Sequence, residues 1–252
     1  MSEWAENRQL LHVSGADTAK FLQDLVSNDL TATSDGLVYT ALLSPKGKYL
    51  FDFFVTQQDG AYLIDVAKDR AAALAQRLSL YKLRADVAIA ASDLLVNRGL
   101  GAPPSDGHAD PRHSDMGWRA YQGTAGGAAQ IDWDARRVVQ CIPETGIELI
   151  PDQTYILEAG FERLNGVDFR KGCYVGQEVT ARMKHKTELR KGFALVSIEG
   201  NASIGTDIMS EGKVAGQLFT QSGGSAIAYL RFDRASGDMN AEGAVIRYHA
   251  PT

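Results

Sequence analysis

Two cysteines occur in the 252 residues, Cys141 and Cys173. Cys173 stands in Lys171-Gly172-Cys173-Tyr174-Val175-Gly176-Gln177-Glu178, between two glycines and close to a lysine. Residues 177–185 read as a short helix, with Val179 and Met183 on its apolar face and Glu178 and Arg182 as a favourable i,i+4 pair. A thiol just ahead of a helix start meets unpaired backbone N–H groups and the positive end of the helix dipole. Lys171 adds to that field and Glu178 opposes it. Nucleophiles and metal ligands both use the thiolate, so this setting suits either chemistry. Residue types alone also allow a small buried cysteine in a tight strand-to-helix turn, with the glycines there for backbone geometry.

The charge distribution supports a local role for this segment. The chain carries a net −5, which argues against wholesale nucleic-acid binding. Residues 170–191 hold seven cations (Arg170, Lys171, Arg182, Lys184, Lys186, Arg190, Lys191) and two acids (Glu178, Glu188). That segment is +5, which leaves −10 for the rest of the chain. Such a field would attract a polyanion or an acidic partner; a solvated helix face is the plain alternative. Two cysteines are too few for a disulfide framework. No stretch approaches the roughly 18 uninterrupted apolar residues of a membrane span, and Met1-Ser2-Glu3-Trp4-Ala5-Glu6 lacks a signal-peptide pattern. A cytoplasmic protein with no membrane contact is expected.

The elements that must position Cys173 read as follows. A strand spans 8–13, and Ser14 is the expected cap of a helix over 15–26 that turns Ala16, Ala19, Leu22 and Val26 inward. A hairpin covers 37–55 around Ser44-Pro45-Lys46-Gly47, and a third strand covers 62–66. Residues 68–83 form an amphipathic helix, and short strands follow at 86–90 and 94–98. Residues 101–117 read as a loop, whose His108, His113, Asp106, Asp110 and Asp115 fit no standard metal-ligand spacing. Residues 123–127 read as a second flexible tip. A strand at 136–142 would make Cys141 a core residue, and Asp152 would cap a helix to about 164. After 188 only strands and glycines recur, as in a small β-barrel. The class is α+β, with residues 1–188 as one region and 189–252 as the barrel.

The stretch Asn165-Gly166-Val167-Asp168-Phe169-Arg170-Lys171-Gly172-Cys173-Tyr174-Val175-Gly176-Gln177-Glu178-Val179-Thr180-Ala181-Arg182 resembles the signature of the YgfZ family. These are folate-binding relatives of the glycine-cleavage aminomethyltransferase GcvT, and they include a mitochondrial iron–sulfur assembly factor. The segments 12–30, 42–54, 212–216 and 226–231 are similar to other parts of that family. The chain departs from it at Ile156, where members often have proline two residues before the acid matched by Glu158, and at His185-Lys186-Thr187, where they tend to have His-Arg-Gly. The resemblance implies two interleaved α+β subdomains and a C-terminal barrel around a folate pocket. It implies Cys173 and Lys171 as the reactive pair, with Lys171 and Arg182 holding local positive charge, Gly172 and Gly176 letting the backbone turn tightly, Gln177 and Glu178 fixing the loop, and Tyr174 as a further motif residue. Asn28 and Glu148 are the implied ligands of a tetrahydrofolate or related folate, the latter because Glu144-Thr145-Gly146-Ile147-Glu148 resembles the GcvT segment whose acid binds the pterin.

The function so implied is a folate-binding accessory factor in the assembly or repair of iron–sulfur clusters. Its partners would be assembly proteins or client iron–sulfur enzymes. A cluster takes about four thiolates, so Cys173 could give one ligand to a cluster shared with a partner; a nucleophile on a folate-borne one-carbon unit and a redox thiol are the other roles open to it. A folate-dependent one-carbon transferase like GcvT is the enzymatic alternative. A tRNA-modification factor is the third, weakened by the acidic net charge and the lack of interleaved exposed aromatics.

Overall fold

The computed structural model describes residues 2–34, 36–185 and 188–249. Lys186 and Thr187, counted above in the basic segment and in the departure from the family pattern, lie outside the described residues. The chain forms two compact units that interleave along it, residues 1–131 with 162–179, and 132–161 with 180–252.

The first unit contains β1 (Ser2–Trp4), β2 (Arg8–Ser14), α1 (Thr18–Gln23), β3 (Val38–Leu43), β4 (Tyr49–Gln58), β5 (Ala61–Ala67), α2 (Lys68–Lys82), β6 (Ala88–Ala91), β7 (Leu95–Gly99), β8 (Gly107–Ala109) and β9 (Trp118–Gln122). Antiparallel pairing gives a five-stranded sheet in the order β3-β4-β5-β2-β6 and a four-stranded sheet in the order β1-β7-β9-β8. Period-2 alternation sends Val38, Leu42, Phe51, Phe53, Val55, Ile64 and Val66 to one face of the larger sheet. There they pack with Leu22 and Val26 and with Ala71, Leu74 and Leu78 of α2. Each large side chain so buried contributes roughly 1.5–3 kcal/mol. The opposite face is buried too, because Tyr39, Asp52, Phe54 and Asp65 are all covered.

The second unit contains α3 (Trp133–Val139), the greater part of α4 (Gln177–His185), and six strands: β10 (Lys191–Glu199), β11 (Asp207–Ser210), β12 (Lys213–Ser222), β13 (Ser225–Arg231), β14 (Asp238–Ala241) and β15 (Ala244–Tyr248). The strands close into a barrel in the order β10-β13-β12-β11-β14-β15. Register shifts in β11 after Ile208 and in β12 after Leu218 supply curvature. Small residues inside, such as Ala194, Ala215, Ala226 and Ala228, leave room for Leu218, Leu230 and Ile246.

Several local expectations are corrected. The first helix is limited to residues 18–23, and Ser14 ends β2 instead of capping it. Gly15 has φ +120°, and a Cβ there would lie 2.2 Å from the Asp86 carbonyl oxygen, so the chain is docked at that point and cannot begin a helix. Ala16 and Ala19 are accordingly exposed. The expected strand at 136–142 is instead α3 and its end. The Asp132 side chain accepts from the Ala135 N–H at 2.8 Å, a cap that starts a helix. Cys141 is buried beside Val138, Phe219 and Ile227, as a core residue should be. Residues 152–164 form successive turns, broken by Asp152 at φ 61° and Gly160 at φ 73°. The 101–117 loop contributes β8, which pairs with β9, and the 123–127 tip is tied down by the bond from the Trp4 N–H to the Gly127 carbonyl.

Candidate functional site

The cysteine segment is fastened on both sides of Cys173, and Cys173 itself is exposed. On the upstream side, residues 165–171 are stitched to residues 23–29. The Ser27 hydroxyl donates to the Gly166 carbonyl (2.7 Å), and the Asp168 N–H donates to the Ser27 carbonyl (3.1 Å). The Asn28 amide donates to the carbonyls of Tyr39 (2.8 Å) and Asn165 (2.7 Å), while its oxygen accepts from the Asp29 N–H (2.9 Å). Lys171 is buried, and its ammonium donates to the carbonyls of Gln23 (2.7 Å), Val26 (2.5 Å) and Asn28 (3.0 Å). A helix end leaves carbonyls without intrahelical partners; at the end of α1, Lys171 reaches the Gln23 carbonyl and two more just beyond it. An ammonium has three N–H donors, and all three are used. Burial pushes Lys171 down to about 8, against the opposing pull of Asp29, Asp24 and Asp168.

On the downstream side, Tyr174 is buried, with the Lys171 ammonium 5.3 Å from its ring centroid. Gly176 has φ +83°, and a Cβ there would sit 2.6 Å from the Ser44 carbonyl oxygen, so the 44–47 turn packs directly on its backbone. The Gln177 amide reaches back to the Gly172 carbonyl at 3.3 Å. Gly172 has open space around it. Glu178 and Arg182 are exposed on α4. Cys173 precedes the first residue of that helix by four positions.

Glu148 is buried in the second unit, and its carboxylate is fully occupied. One oxygen accepts from Arg137 Nη1 (3.0 Å) and the Glu144 N–H (2.9 Å). The other accepts from the Thr220 hydroxyl (2.7 Å) and N–H (3.3 Å). Arg137 also donates to Thr220 Oγ1 (2.5 Å) and Asp134 (2.7 Å). Burial opposes the Arg137 charge, yet Glu148, Asp134 and Glu144 outweigh it and raise the guanidinium further.

Sequence reasoning missed a buried ionic network on the covered face of the larger sheet. Asp65 accepts from Arg8 (2.6 Å), Arg119 (2.9 Å) and the Tyr121 hydroxyl (3.3 Å). Arg112 grips Asp110 with two bonds, of 3.0 and 2.8 Å. The guanidinium carbons of Arg119 and Arg112 lie 4.0 and 4.8 Å from the Phe54 ring centroid. Asp52 accepts from the hydroxyls of Tyr39 (3.0 Å) and Tyr49 (2.8 Å). Burial raises the Asp65 and Asp110 carboxyls, but the arginines outweigh it and hold both below the usual range. Asp52 within Phe51-Asp52-Phe53-Phe54 and Asp65 within Leu63-Ile64-Asp65-Val66 were the available signal, since an acid amid an apolar strand needs a partner.

Comparison with known proteins shows what the chain is similar to. Residues 190–252 match the family described as "CAF17, C-terminal beta-barrel domain". The chain is 32% identical over 217 residues to the mitochondrial iron–sulfur cluster assembly factor IBA57 homolog of Mycosarcoma maydis, covering 73% of this chain and 54% of that protein. It thus spans about half the length of that relative. It is 29% identical to the mitochondrial iron–sulfur cluster assembly factor IBA57 of Mus musculus, covering 93% of this chain and 78% of that protein. The solved glycine cleavage system aminomethyltransferase T of Bartonella henselae superposes with a TM-score of 0.73 at 12% identity, covering 99% of this chain and 85% of that one. The chain therefore has the GcvT-like fold, ending in a closed six-stranded barrel. The cytoplasmic expectation is overturned, because these IBA57 relatives are mitochondrial by name. Few cysteines and an ordinary charged composition suit any reducing aqueous compartment, so they could not tell one from another.

Proposed function

We propose that this chain is an accessory factor in iron–sulfur cluster assembly that offers Cys173 as a single thiolate to a cluster held jointly with a partner protein. The observation that carries this is the exposed Cys173 on a segment fastened at Lys171 and at Gly176. A ligand presented from a fixed backbone loses little freedom on binding. Among the described residues no three His, Cys, Asp or Glu gather as a metal site. A cluster needing about four ligands would therefore draw the others from the partner. Cys173 would hold one iron of the cluster through its thiolate sulfur, the thiol proton going to solvent. The names of the IBA57 relatives support the same class of role.

The family resemblance implies folate, but the two residues expected to hold it do not fit that task. Both acceptor oxygens of Glu148 are engaged within the protein, and both amide hydrogens of Asn28 go to backbone carbonyls. Aminomethyl transfer rests on fold similarity alone, and a shared fold does not carry a shared reaction.

The test is anaerobic purification of the tagged chain from cells expressing the assembly machinery, with iron, sulfide and visible absorption measured. The intact chain should retain a cluster chromophore together with its partner, and Cys173→Ala should lose the chromophore. Equal iron and sulfide in both would remove the thiolate role.

A further inference from the structure

We infer that Lys171 is a positioning residue that fixes where Cys173 is presented, and that it does not act by activating the thiol. The inference rests on the proposed role of Cys173 and deepens it. A lysine two residues from a cysteine invites the opposite view, in which the ammonium stabilises the thiolate across space. The geometry points elsewhere. All three N–H donors of Lys171 end on the carbonyls of Gln23, Val26 and Asn28, and none goes to Cys173. These carbonyls belong to the end of α1 and the segment leading to β3, 143 to 148 residues away in sequence. One side chain therefore pins the cysteine segment to a remote part of the same unit.

The surroundings fit a clasp. The Lys171 stem is buried, Tyr174 lies against the ammonium, and Asp29, Asp24 and Asp168 supply opposing charge around it. Ser27 and Asn28, which lie within or beside the carbonyl cradle, hold the upstream end of the same segment through Gly166 and Asn165. With the cradle intact, the backbone at residue 171 is fixed, and Gly176 is fixed against Ser44. Between those points only Gly172, Cys173, Tyr174 and Val175 remain to be placed. Arginine would not substitute, because its planar fork cannot direct three N–H groups from one atom at three converging carbonyls.

The experiment compares the intact protein with Lys171→Met, which keeps the apolar stem, and Lys171→Arg, which keeps the charge. Three readouts are taken: amide hydrogen exchange over residues 165–176, the pH–rate profile of Cys173 alkylation by iodoacetamide, and rescue of client-enzyme activity. Both variants should lose protection in that segment by about 10- to 100-fold, in line with the loss of hydrogen bonds from a charged donor. Both should rescue poorly. The midpoint of the alkylation profile in Lys171→Met should move by less than about half a pH unit, whereas a cation contacting the thiolate would give one unit or more. A full-unit shift with protection intact would overturn the inference, as would complete rescue by Lys171→Arg. Should Lys171→Met fail to fold, the exchange and rescue results for Lys171→Arg decide alone. If Cys173→Ala itself proves active, the proposed function fails while the exchange result still judges the clasp.

Discussion

Lys171 donates a 2.5 Å hydrogen bond to the Val26 carbonyl, joining residues 145 apart in sequence. Through that bond and its two companions the end of α1 becomes part of the cysteine site, although it carries no reactive group of its own. The loop is an extension of the core, and its glycines should not be interchangeable.

Gly176 and Gly172 are expected to respond differently to alanine. A Cβ at Gly176 would meet the Ser44 carbonyl oxygen at 2.6 Å from a backbone at φ +83°. Strain and displacement together should cost about 2 kcal/mol or more. Gly172 has neither a positive φ nor a neighbour within 4 Å, so Gly172→Ala should stay within about 0.5 kcal/mol of the parent. Urea denaturation of the two variants measures the contrast. Equal effects would mean the close packing at Gly176 is not maintained.

Glu148 is expected to behave as a structural acid. Removing one partner of a buried ion pair typically costs about 3–5 kcal/mol, and Glu148→Ala takes the buried carboxylate from Arg137, which keeps Asp134, and the acceptor from the Thr220 hydroxyl. Trp133 opens α3 in the same unit, so fluorescence-monitored denaturation reports the loss. Calorimetric titration with tetrahydrofolate should give the same isotherm for the parent and Glu148→Gln. Folate binding abolished at unchanged stability would return Glu148 to the role of a ligand.

Acid should weaken the first unit through Asp65 and Asp110. Their folded-state carboxyls lie below the ordinary value of 3.8 because Arg8, Arg119 and Arg112 outweigh burial. A depressed carboxyl contributes fully above its unfolded value and loses that contribution as pH falls through the folded one. Stability should therefore hold to about pH 5 and then fall as the two carboxylates take up protons. Asp65→Asn should flatten part of that acid limb while lowering stability at neutral pH, since Arg8 and Arg119 each lose a charged partner. An unchanged acid limb would show that the network does not govern it.

Legibility from sequence followed the range of the forces involved. The 44–47 hairpin, α2 and the barrel strands were visible because apolar periodicity and turn residues are local signals. The first helix is shorter than its periodicity suggests because the close approach of Gly15 to Asp86 is a contact across about 70 residues that no local window contains. The segment around Arg137 reads as a strand for the same kind of reason: Asp132 starts a helix, and its buried face includes an arginine matched to Glu148 and Thr220. Cys173 stands out in the sequence through its setting between two glycines and through the family resemblance of that segment. The structural attachments of Lys171 and Asn28 were not, since a buried ammonium and a reactive one look alike in sequence, and their partners are backbone carbonyls that every residue possesses.

The Cys173 thiol carries the proposed function, and complementation tests this most directly. A strain lacking its own related factor would receive the intact chain, Cys173→Ala or Cys141→Ala, with the activity of its [4Fe–4S] enzymes measured in extracts. Cys173 is exposed and Cys141 buried, so loss confined to Cys173→Ala, at unchanged protein level and stability, is the predicted result. Full activity from Cys173→Ala would contradict the account.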